Sequence, residues 1–413
     1  FTLVFLTMLL LATGVQLWLS RRQIRHVSAH RDAVPEAFAG KISDKAHRKA
    51  ANYTLAKERV GIAESLFAAA ILLLWTLGGG LQLLLDLWHQ SGLGPLLQGV
   101  GFMLSVFVVG SLLDVPFGAY RTFVIEQRFG FNRTSAATFA GDLLKQGALL
   151  VLLGAPLAAL VIWLMGNAGG LWWLYVWAVW MGFGLLMMWA FPAFIAPLFN
   201  RFSPLEDKSL EARIRQLLER CGFQFNGVYV MDGSRRSAHG NAYFSGLGNN
   251  KRIVFFDTLL ENLSPDEIEA VLAHELGHFR RKHVRKRFAL MAVLSLAGLA
   301  ILGWLIDQPW FYQGLGVQET SLPAALILFL LAAPVFTFYI QPLMARSMRK
   351  HEFEADDFAA EQSDARDLIR ALVKLYEENA STLTPDPLYS AFHDSHPPAP
   401  IRIAHLKTQM HTA

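Results

Sequence analysis

Hydrophobic residues are concentrated in seven runs, each close to the roughly 20 residues that cross a hydrocarbon core as a helix. Long polar stretches separate some of them, chiefly 201–287 and 347–413. The pattern predicts a mainly α protein with seven transmembrane helices. The runs are residues 1–20, 62–88, 98–117, 147–166, 171–199, 288–306 and 322–346.

Lys and Arg are distributed unevenly among the connections between these runs. They are frequent in the first and third connections, whereas those around His89, 167–170 and 307–321 contain none. Because cytoplasmic loops carry the excess of basic residues, the N-terminus is expected outside and the C-terminus inside. This topology places both long polar stretches on the cytoplasmic face.

Composition agrees with a membrane protein, since 53% of the residues are hydrophobic and only 17% are charged. The net charge of +4 follows from loop charge, and no module with interleaved basic and aromatic residues appears, so a nucleic-acid partner is not expected. Cys221 is the single cysteine, which excludes a disulfide framework and a multi-cysteine zinc site.

The polar stretch 201–287 reads as a small α+β insertion. It opens with an amphipathic helix, and strand candidates follow at 227–231, 241–244 and 252–256. The expected organisation is therefore transmembrane helices 1–5 in 1–200, a catalytic segment in 201–287, helices 6–7 in 288–346 and a cytoplasmic segment in 347–413.

A strong helix start precedes the main candidate site. Ser264 is placed as an N-cap, Pro265 occupies the first helical position, and Glu267 is spaced to close a capping box. We expect a helix from here through the HExxH sequence at 274–278.

His274 and His278 lie one turn apart on this helix, so both imidazoles can reach one cation while Glu275 lies beside them. This is the arrangement of zinc proteases. The alternative is a surface helix that spells the pattern by accident, which average composition makes roughly a 1% event in a chain of this length.

Catalytic zinc normally takes three protein ligands, so a further donor is needed. Glu352 and Asp356 share a helix face after the last apolar run, with Glu352 as a ligand and Asp356 as acceptor of a ligand imidazole's hydrogen bond. Spacing alone leaves a solvated acidic helix equally open. Glu354 fits that alternative, and His283 reads as a structural or supporting group rather than a fourth ligand.

Several motifs in addition to these resemble those of the type I CAAX prenyl proteases, also called a-factor-converting enzymes, and the resemblance covers nearly the full chain. The matching elements are DVPF at 114–117, FVIE at 123–126, FGFN at 129–132, NRFSPL at 200–205, NAYF at 241–244, KRIV at 251–254, HELGH at 274–278, EFEAD at 352–356, HPP at 396–398 and Arg402. Seven spans favour this branch over the shorter heat-shock-type membrane proteases.

The resemblance implies that Glu352 is the third ligand of one Zn²⁺ per chain. It also implies seven helices enclosing a water-filled chamber, with a zinc protease domain of gluzincin type at its cytoplasmic end. A bacterial homologue in the inner membrane is expected rather than an endoplasmic reticulum protein.

Residues with catalytic and substrate-binding roles follow from this reading. Glu275 is expected to be the general base of peptide hydrolysis. His396 and Arg402 are candidates for stabilising the oxyanion or binding a substrate carboxylate, although an Arg on a polar tail is more often a solvated charge.

The strand Asn241-Ala242-Tyr243 resembles the edge strand of thermolysin-like enzymes, which pairs with an extended substrate. An ordinary core strand is the alternative.

Three functions are compatible with the sequence. The first is cleavage of CAAX-type peptide or protein substrates, with or without a prenyl group, at a membrane whose lipids are also partners. The second is general degradation of membrane proteins by the same chemistry. The third, a seven-span receptor or transporter with structural zinc, leaves Glu275 without a role. The Pro- and His-rich segment 381–400 is a candidate cover for the active site.

Overall fold

The structure is a computed structural model that describes residues 1–245 and 252–410. Its first half is almost entirely helical, and most of its helices are long and apolar, as the sequence predicts, apart from the short α5 and α8. They are α1 (Thr2–Ala29), α2 (Asp44–Trp75), α3 (Gly80–His89), α4 (Pro95–Tyr120), α5 (Gln127–Phe129), α6 (Ala136–Asn167), α7 (Trp172–Ala190) and α8 (Ala196–Phe199).

The second half contains a polar domain and two further membrane helices. Its strands are β1 (Phe202–Pro204), β2 (Val228–Met231), β3 (Ala242–Ser245) and β4 (Arg252–Phe256). Its helices are α9 (Lys208–Arg220), α10 (Asp257–Asn262), α11 (Pro265–Arg280), α12 (His283–Leu305), α13 (Pro309–Gln313), α14 (Leu322–Thr337), α15 (Gln341–Gln362), α16 (Ala365–Glu378), α17 (Pro387–His393) and α18 (Ala399–Met410).

Within the described ranges, six helices are long and apolar enough to cross a membrane, or seven if the bent pair α2 and α3 forms one span. The expected continuous span 62–88 is broken at this point, because α2 and α3 meet at a 48° bend. Three consecutive glycines, 78–80, occupy the break, and Gly79 has a φ of +78°, which favours glycine over other residues. The chain is a multi-pass integral membrane protein.

A π-helical segment, Arg121–Glu126, joins α4 to α5. Such segments widen one turn of a helix and change the direction of the side chains that follow. Here Pro116 lies inside α4 just before the change, and Glu126 is the last residue of the segment.

The polar domain contains a four-stranded sheet in the order β1-β2-β4-β3. β2 and β4 are parallel, whereas β1 and β3 pair with their neighbours in antiparallel fashion. The three predicted strands are present, and β1 is an additional short edge strand containing Pro204, which the hydrophobic pattern does not reveal. Leu217 and Leu218 of α9 are buried in the same hydrophobic core as Ile253 and Phe255 of β4.

Helices α11 and α15 pack closely because small residues line their contact. A Cβ atom built on Gly277 would lie 2.8 Å from the Cα of Ala355 and 3.1 Å from its carbonyl oxygen. Ala273 and Ala355 are fully buried. Since helix backbones approach this closely only where side chains are absent or small, Gly277 sets the separation of the two helices.

Gly277→Ala is therefore expected to push α11 and α15 apart and to lower both zinc content and activity, with a stability loss of about 1–3 kcal/mol from overpacking. Zinc per chain and thermal unfolding of the detergent-purified protein measure this. Gly298→Ala is the matched control, because its added methyl meets only the tip of the Phe329 ring at 3.6 Å. Equal zinc content in the two variants would contradict the role of Gly277.

Candidate metal and catalytic site

The predicted start of the HExxH helix is confirmed. The Glu267 backbone N–H donates to Ser264 Oγ at 3.4 Å, and the Ser264 N–H donates to Glu267 Oε2 at 2.7 Å, which completes the capping box. Lys374 of α16 also donates to Glu267 Oε2, at 2.7 Å. The first turn of α11 is thus fixed both locally and against α16.

His274, His278 and Glu352 meet where α11 crosses α15. One ligand atom from each lies within 4.8 Å of the other two, and no other such group of three was found in the described part of the chain. His274 Nε2 is 3.5 Å from Glu352 Oε2, and His278 Nε2 is 3.3 Å from Glu352 Oε1. The side chains of His274 and Glu352 are only 8% and 7% exposed.

The outward nitrogen of His274 is held by a buried carboxylate. His274 Nδ1 is 2.8 Å from Asp356 Oδ1, and Arg402 donates to both oxygens of Asp356, at 2.8 and 2.5 Å. With the proton on Nδ1, the Nε2 lone pair faces Glu352. Burial and the Arg402 charge disfavour protonation of His274, but its contacts with the Asp356 and Glu352 carboxylates outweigh them and raise its pKa to about 9. Because a metal ligand must be unprotonated at Nε2, a cation here competes with a proton.

His278 is held by a different arrangement, a relay of two side chains. Its Nδ1 is 2.9 Å from His283 Nδ1, and His283 Nε2 is 2.9 Å from Glu354 Oε2. Since a carboxylate accepts, His283 donates through Nε2 and accepts through Nδ1. His278 therefore donates through Nδ1, which leaves its Nε2 lone pair facing Glu352.

The relay gives Glu354 a role that sequence spacing did not reveal. The relay depends on the turn between α11 and α12. α11 ends at Arg280, Lys282 has a φ of +59°, and α12 begins at His283. This left-handed residue turns the chain so that the His283 ring packs 5.1 Å from the ring of His278.

The donor set fits a divalent metal. Two imidazole nitrogens and a carboxylate are the ligands of catalytic zinc sites. Glu352 Oε2 is buried without a hydrogen-bond partner, and buried carboxylate oxygens are rarely left unpaired unless they bind something else. Glu275 lies half-buried beside the cluster and makes no hydrogen bond or ion pair with the described residues, so its carboxylate is free to act on substrate.

The C-terminal candidates also reach this centre. His396 Nε2 is 3.5 Å from Glu352 Oε1, and its side chain is 63% exposed, which places it at the rim. Arg402 is buried, with Nη1 3.7 Å from Glu352 Oε2. Its Nε and Nη2 donate to Asp356, and Nη2 is also 3.3 Å from His274 Nδ1. His396 is thus exposed to solvent, whereas Arg402 is buried.

The segment that leads to His396 is fastened at two points. Arg22 of α1 forms a bidentate pair with Asp386, at 3.2 and 3.0 Å. Arg349, one turn before Glu352 on α15, donates to the carbonyl of Asp394 at 2.8 Å. These bonds hold α17 and the following residues beside the metal cluster.

The predicted substrate strand is an edge of the sheet. β3 pairs with β4 and with no other strand of the described ranges. The Phe256 N–H donates to the carbonyl of Asn241, so the alternation of an antiparallel ladder directs the Ala242 backbone groups away from β4. The Ala242 N–H donates a hydrogen bond to Asn241 Oδ1 at 2.8 Å. The side chain of Tyr243 is half-buried.

Comparison with known proteins identifies the family. Residues 23–201 match the family described as CAAX prenyl protease N-terminal, five membrane helices, and residues 204–410 match peptidase family M48. The chain belongs to the CAAX prenyl protease family of M48 peptidases. It is accordingly a membrane metalloendopeptidase with a protein or peptide substrate.

Individual relatives agree over nearly the whole length. The CAAX prenyl protease 1 homolog of Arabidopsis thaliana is 36% identical over 88% of both chains. CAAX prenyl protease 1 of Saccharomyces cerevisiae is 30% identical, with 92% of this chain and 89% of that protein covered. The crystal structure of S. mikatae Ste24p superposes with a TM-score of 0.90 at 29% identity and covers 98% of both chains.

We expect His283→Phe to weaken metal binding by about 10–100-fold, because it leaves the His278 Nδ1–H without an acceptor. His283→Asn restores an acceptor near the position of Nδ1 and should recover part of the loss. Competition with a zinc chelator measures the affinity. Lys350→Ala, which removes only a 3.8 Å neighbour of Glu354, is the control. Wild-type metal affinity in the His283→Phe variant would show that the His283–Glu354 relay does not support metal binding.

Proposed function

We propose that the chain is a zinc endopeptidase that cleaves CAAX-type C-termini of membrane-associated proteins. One observation carries the proposal: two imidazole nitrogens and a buried carboxylate oxygen without a hydrogen-bond partner converge beside an uncommitted glutamate, in a domain built onto membrane helices. A structural metal would require neither the free Glu275 nor an edge strand next to the site.

His274, His278 and Glu352 are the proposed ligands of one Zn²⁺. When bound, zinc would polarise the scissile carbonyl and lower the pKa of the attacking water. Asp356 and the His283–Glu354 pair hold the two imidazoles in the tautomers that ligation needs. Arg402 neutralises Asp356, so the buried carboxylate does not need solvent.

Glu275 is the proposed general base. It accepts the proton of the attacking water and delivers it to the leaving amine, a transfer that requires hydrogen-bond reach and no ligation of its own. His396, exposed at the rim next to Glu352, donates a hydrogen bond to the oxyanion. Arg402 Nη1 lies on the opposite, buried side of Glu352 and supplies positive charge there.

Asn241, Ala242 and Tyr243 are the proposed substrate strand. The outward-facing N–H and carbonyl of Ala242 can pair with an extended peptide, which then adds a strand to the sheet. Asn241 Oδ1 would release the Ala242 N–H when the peptide binds. This role is supported by the edge position of β3 and by the exposure of Asn241.

Placement in the membrane follows from charge. The basic first and third connections favour a catalytic domain, formed by 201–287 and 347–410, at the cytoplasmic surface, with 1–200 and 288–346 in the membrane. The family resemblance implies that these membrane helices enclose a chamber. A prenyl group on the substrate would lie among the apolar membrane helices. Membrane lipids surround these helices. Location in a bacterial inner membrane stays a prediction from the sequence.

Glu275→Gln is expected to retain one zinc per chain and to lose peptide hydrolysis by several orders of magnitude, because the amide cannot accept the water proton. Metal analysis and a discontinuous peptide assay test both halves. Glu269→Gln, on the same helix with its carboxylate in pairs with Arg213 and Arg220, is the matched control. A cleavage rate near that of the wild type in the Glu275→Gln variant would show that Glu275 is not the general base.

The substrate class is tested with a farnesylated CAAX peptide and the same peptide without the lipid, using the detergent-purified chain and mass spectrometry of the products. We expect cleavage of the farnesylated peptide with the higher kcat/KM, because the lipid adds buried apolar area. Equal rates would remove the prenyl requirement and favour general degradation of membrane proteins. Cleavage of neither peptide, with zinc bound, would refute the CAAX proposal.

A further inference from the structure

Five residues, 236–240, lead directly into the substrate strand β3, and they are bonded chiefly to elements outside the sheet. Their partners come from the π-helical segment, the loop after α5, α6, α10 and Asn379, which directly follows α16. The start of β3 is therefore located by the membrane helices as well as by its neighbour β4.

Arg236 makes the first of these attachments. Its guanidinium forms a bidentate pair with Asp142 of α6, with distances of 2.9 to 3.0 Å, and donates to Asn200 Oδ1 at 2.9 Å. Its carbonyl accepts from the Arg133 N–H at 3.1 Å, and the Ala238 N–H donates to the carbonyl of Phe131 at 3.1 Å. The segment thus runs along the loop that follows α5.

His239 makes the second attachment, with both ring nitrogens. Nε2 is 3.3 Å from Glu126 Oε2, at the end of the π-helical segment, and Nδ1 is 3.1 Å from Asn379 Oδ1. The ring also stacks on Phe131, with centroids 4.3 Å apart. Tyr53 of α2 donates to the other oxygen of Glu126 at 2.5 Å.

The backbone at this point is held as firmly as the side chain. Asn379 Oδ1 accepts from the Gly240 N–H at 3.2 Å, and Asn379 Nδ2 donates to the Gly240 carbonyl at 3.4 Å. Thr258 donates to the His239 carbonyl at 3.0 Å. Both the N–H and the carbonyl of Gly240, the residue immediately before Asn241, are therefore hydrogen-bonded.

We propose that Glu126 and His239 are positioning residues that set which peptide bond of the substrate reaches the metal. The inference rests on the proposed role of β3 as the substrate strand. A peptide paired with β3 takes its position from that strand, and one residue of extended chain measures about 3.3 Å. A small displacement of the start of β3 relative to α11 would consequently present a neighbouring bond for cleavage.

The test is His239→Phe, which keeps a ring to stack on Phe131 and removes both hydrogen bonds. We expect unchanged zinc content, a KM raised about tenfold, and minor products cut one residue away from the main site. Glu126→Gln keeps an acceptor for His239 and should retain the single product of the wild-type chain. Kinetics and mass spectrometry use the full-length chain and the CAAX peptide that it cleaves best.

His405→Phe is the matched control. His405 Nε2 is likewise bonded to a carboxylate, Asp357 Oδ1 at 2.6 Å, and its ring packs on Phe353 with centroids 4.9 Å apart, but neither partner belongs to β3 or to residues 236–240. A loss of stability common to both variants would reflect general packing. The same KM and the same single product in both would overturn the inference.

Ala242→Pro separates this inference from the role of the strand itself. Because the Ala242 N–H faces away from β4, proline fits the edge but cannot pair with a peptide. If Ala242→Pro leaves KM unchanged, β3 is not the docking edge, and both proposals fail. If it raises KM while His239→Phe does not, only the positioning role fails.

A milder variant covers failure of His239→Phe to fold. Thr258→Val removes one hydrogen bond to the His239 carbonyl and little volume, and it should give the same minor products at a lower level. A single wild-type product from a folded Thr258→Val protein, with no folded His239→Phe protein to compare, would overturn the proposal.

Discussion

The close contact of α11 with α15 is the constraint on which the site depends. The two helices belong to polar stretches on either side of the α12–α14 hairpin, and their backbones meet where Gly277 faces Ala355. Only at this separation do His274 and His278 lie 3.3 to 3.5 Å from the Glu352 carboxylate. Folding of the membrane part and assembly of the metal cluster are therefore one event, since the hairpin brings α15 to α11.

Burial of charge is the second condition. Moving a carboxylate or guanidinium out of water costs several kcal/mol per ion unless its partners replace the lost hydration. Asp356 and Arg402 meet this cost through two mutual hydrogen bonds and the contact with His274. His278 is supported by an imidazole and the half-buried Glu354 instead. His274 and His278 are thus oriented by supporting groups that differ in charge and exposure. His278 is the more exposed of the two imidazoles.

The start of β3 is attached partly to the membrane helices. The metal cluster is carried by α11 and α15, whereas the start of β3 is bonded to Glu126, Asp142 through Arg236, and Asn379. The metal cluster and the start of β3 therefore depend on different sets of contacts. If β3 is the substrate strand, as proposed, the membrane helices influence the position of a substrate without touching the ligands.

The sequence by itself determined the membrane helices, the HExxH helix with its capping box, and the presence of an edge-strand candidate, because these depend on local periodicity and short-range hydrogen bonds. Spacing alone left Glu352 undecided, assigned Glu354 to solvent and drew one span through 62–88. Tertiary structure decided these points, since they depend on contacts between residues distant in sequence and on the glycine break. Glu354 is recognisable only when the Lys282 turn brings His283 onto His278, and the place of His239 only when Glu126 and Asn379, separated by more than 250 residues, meet.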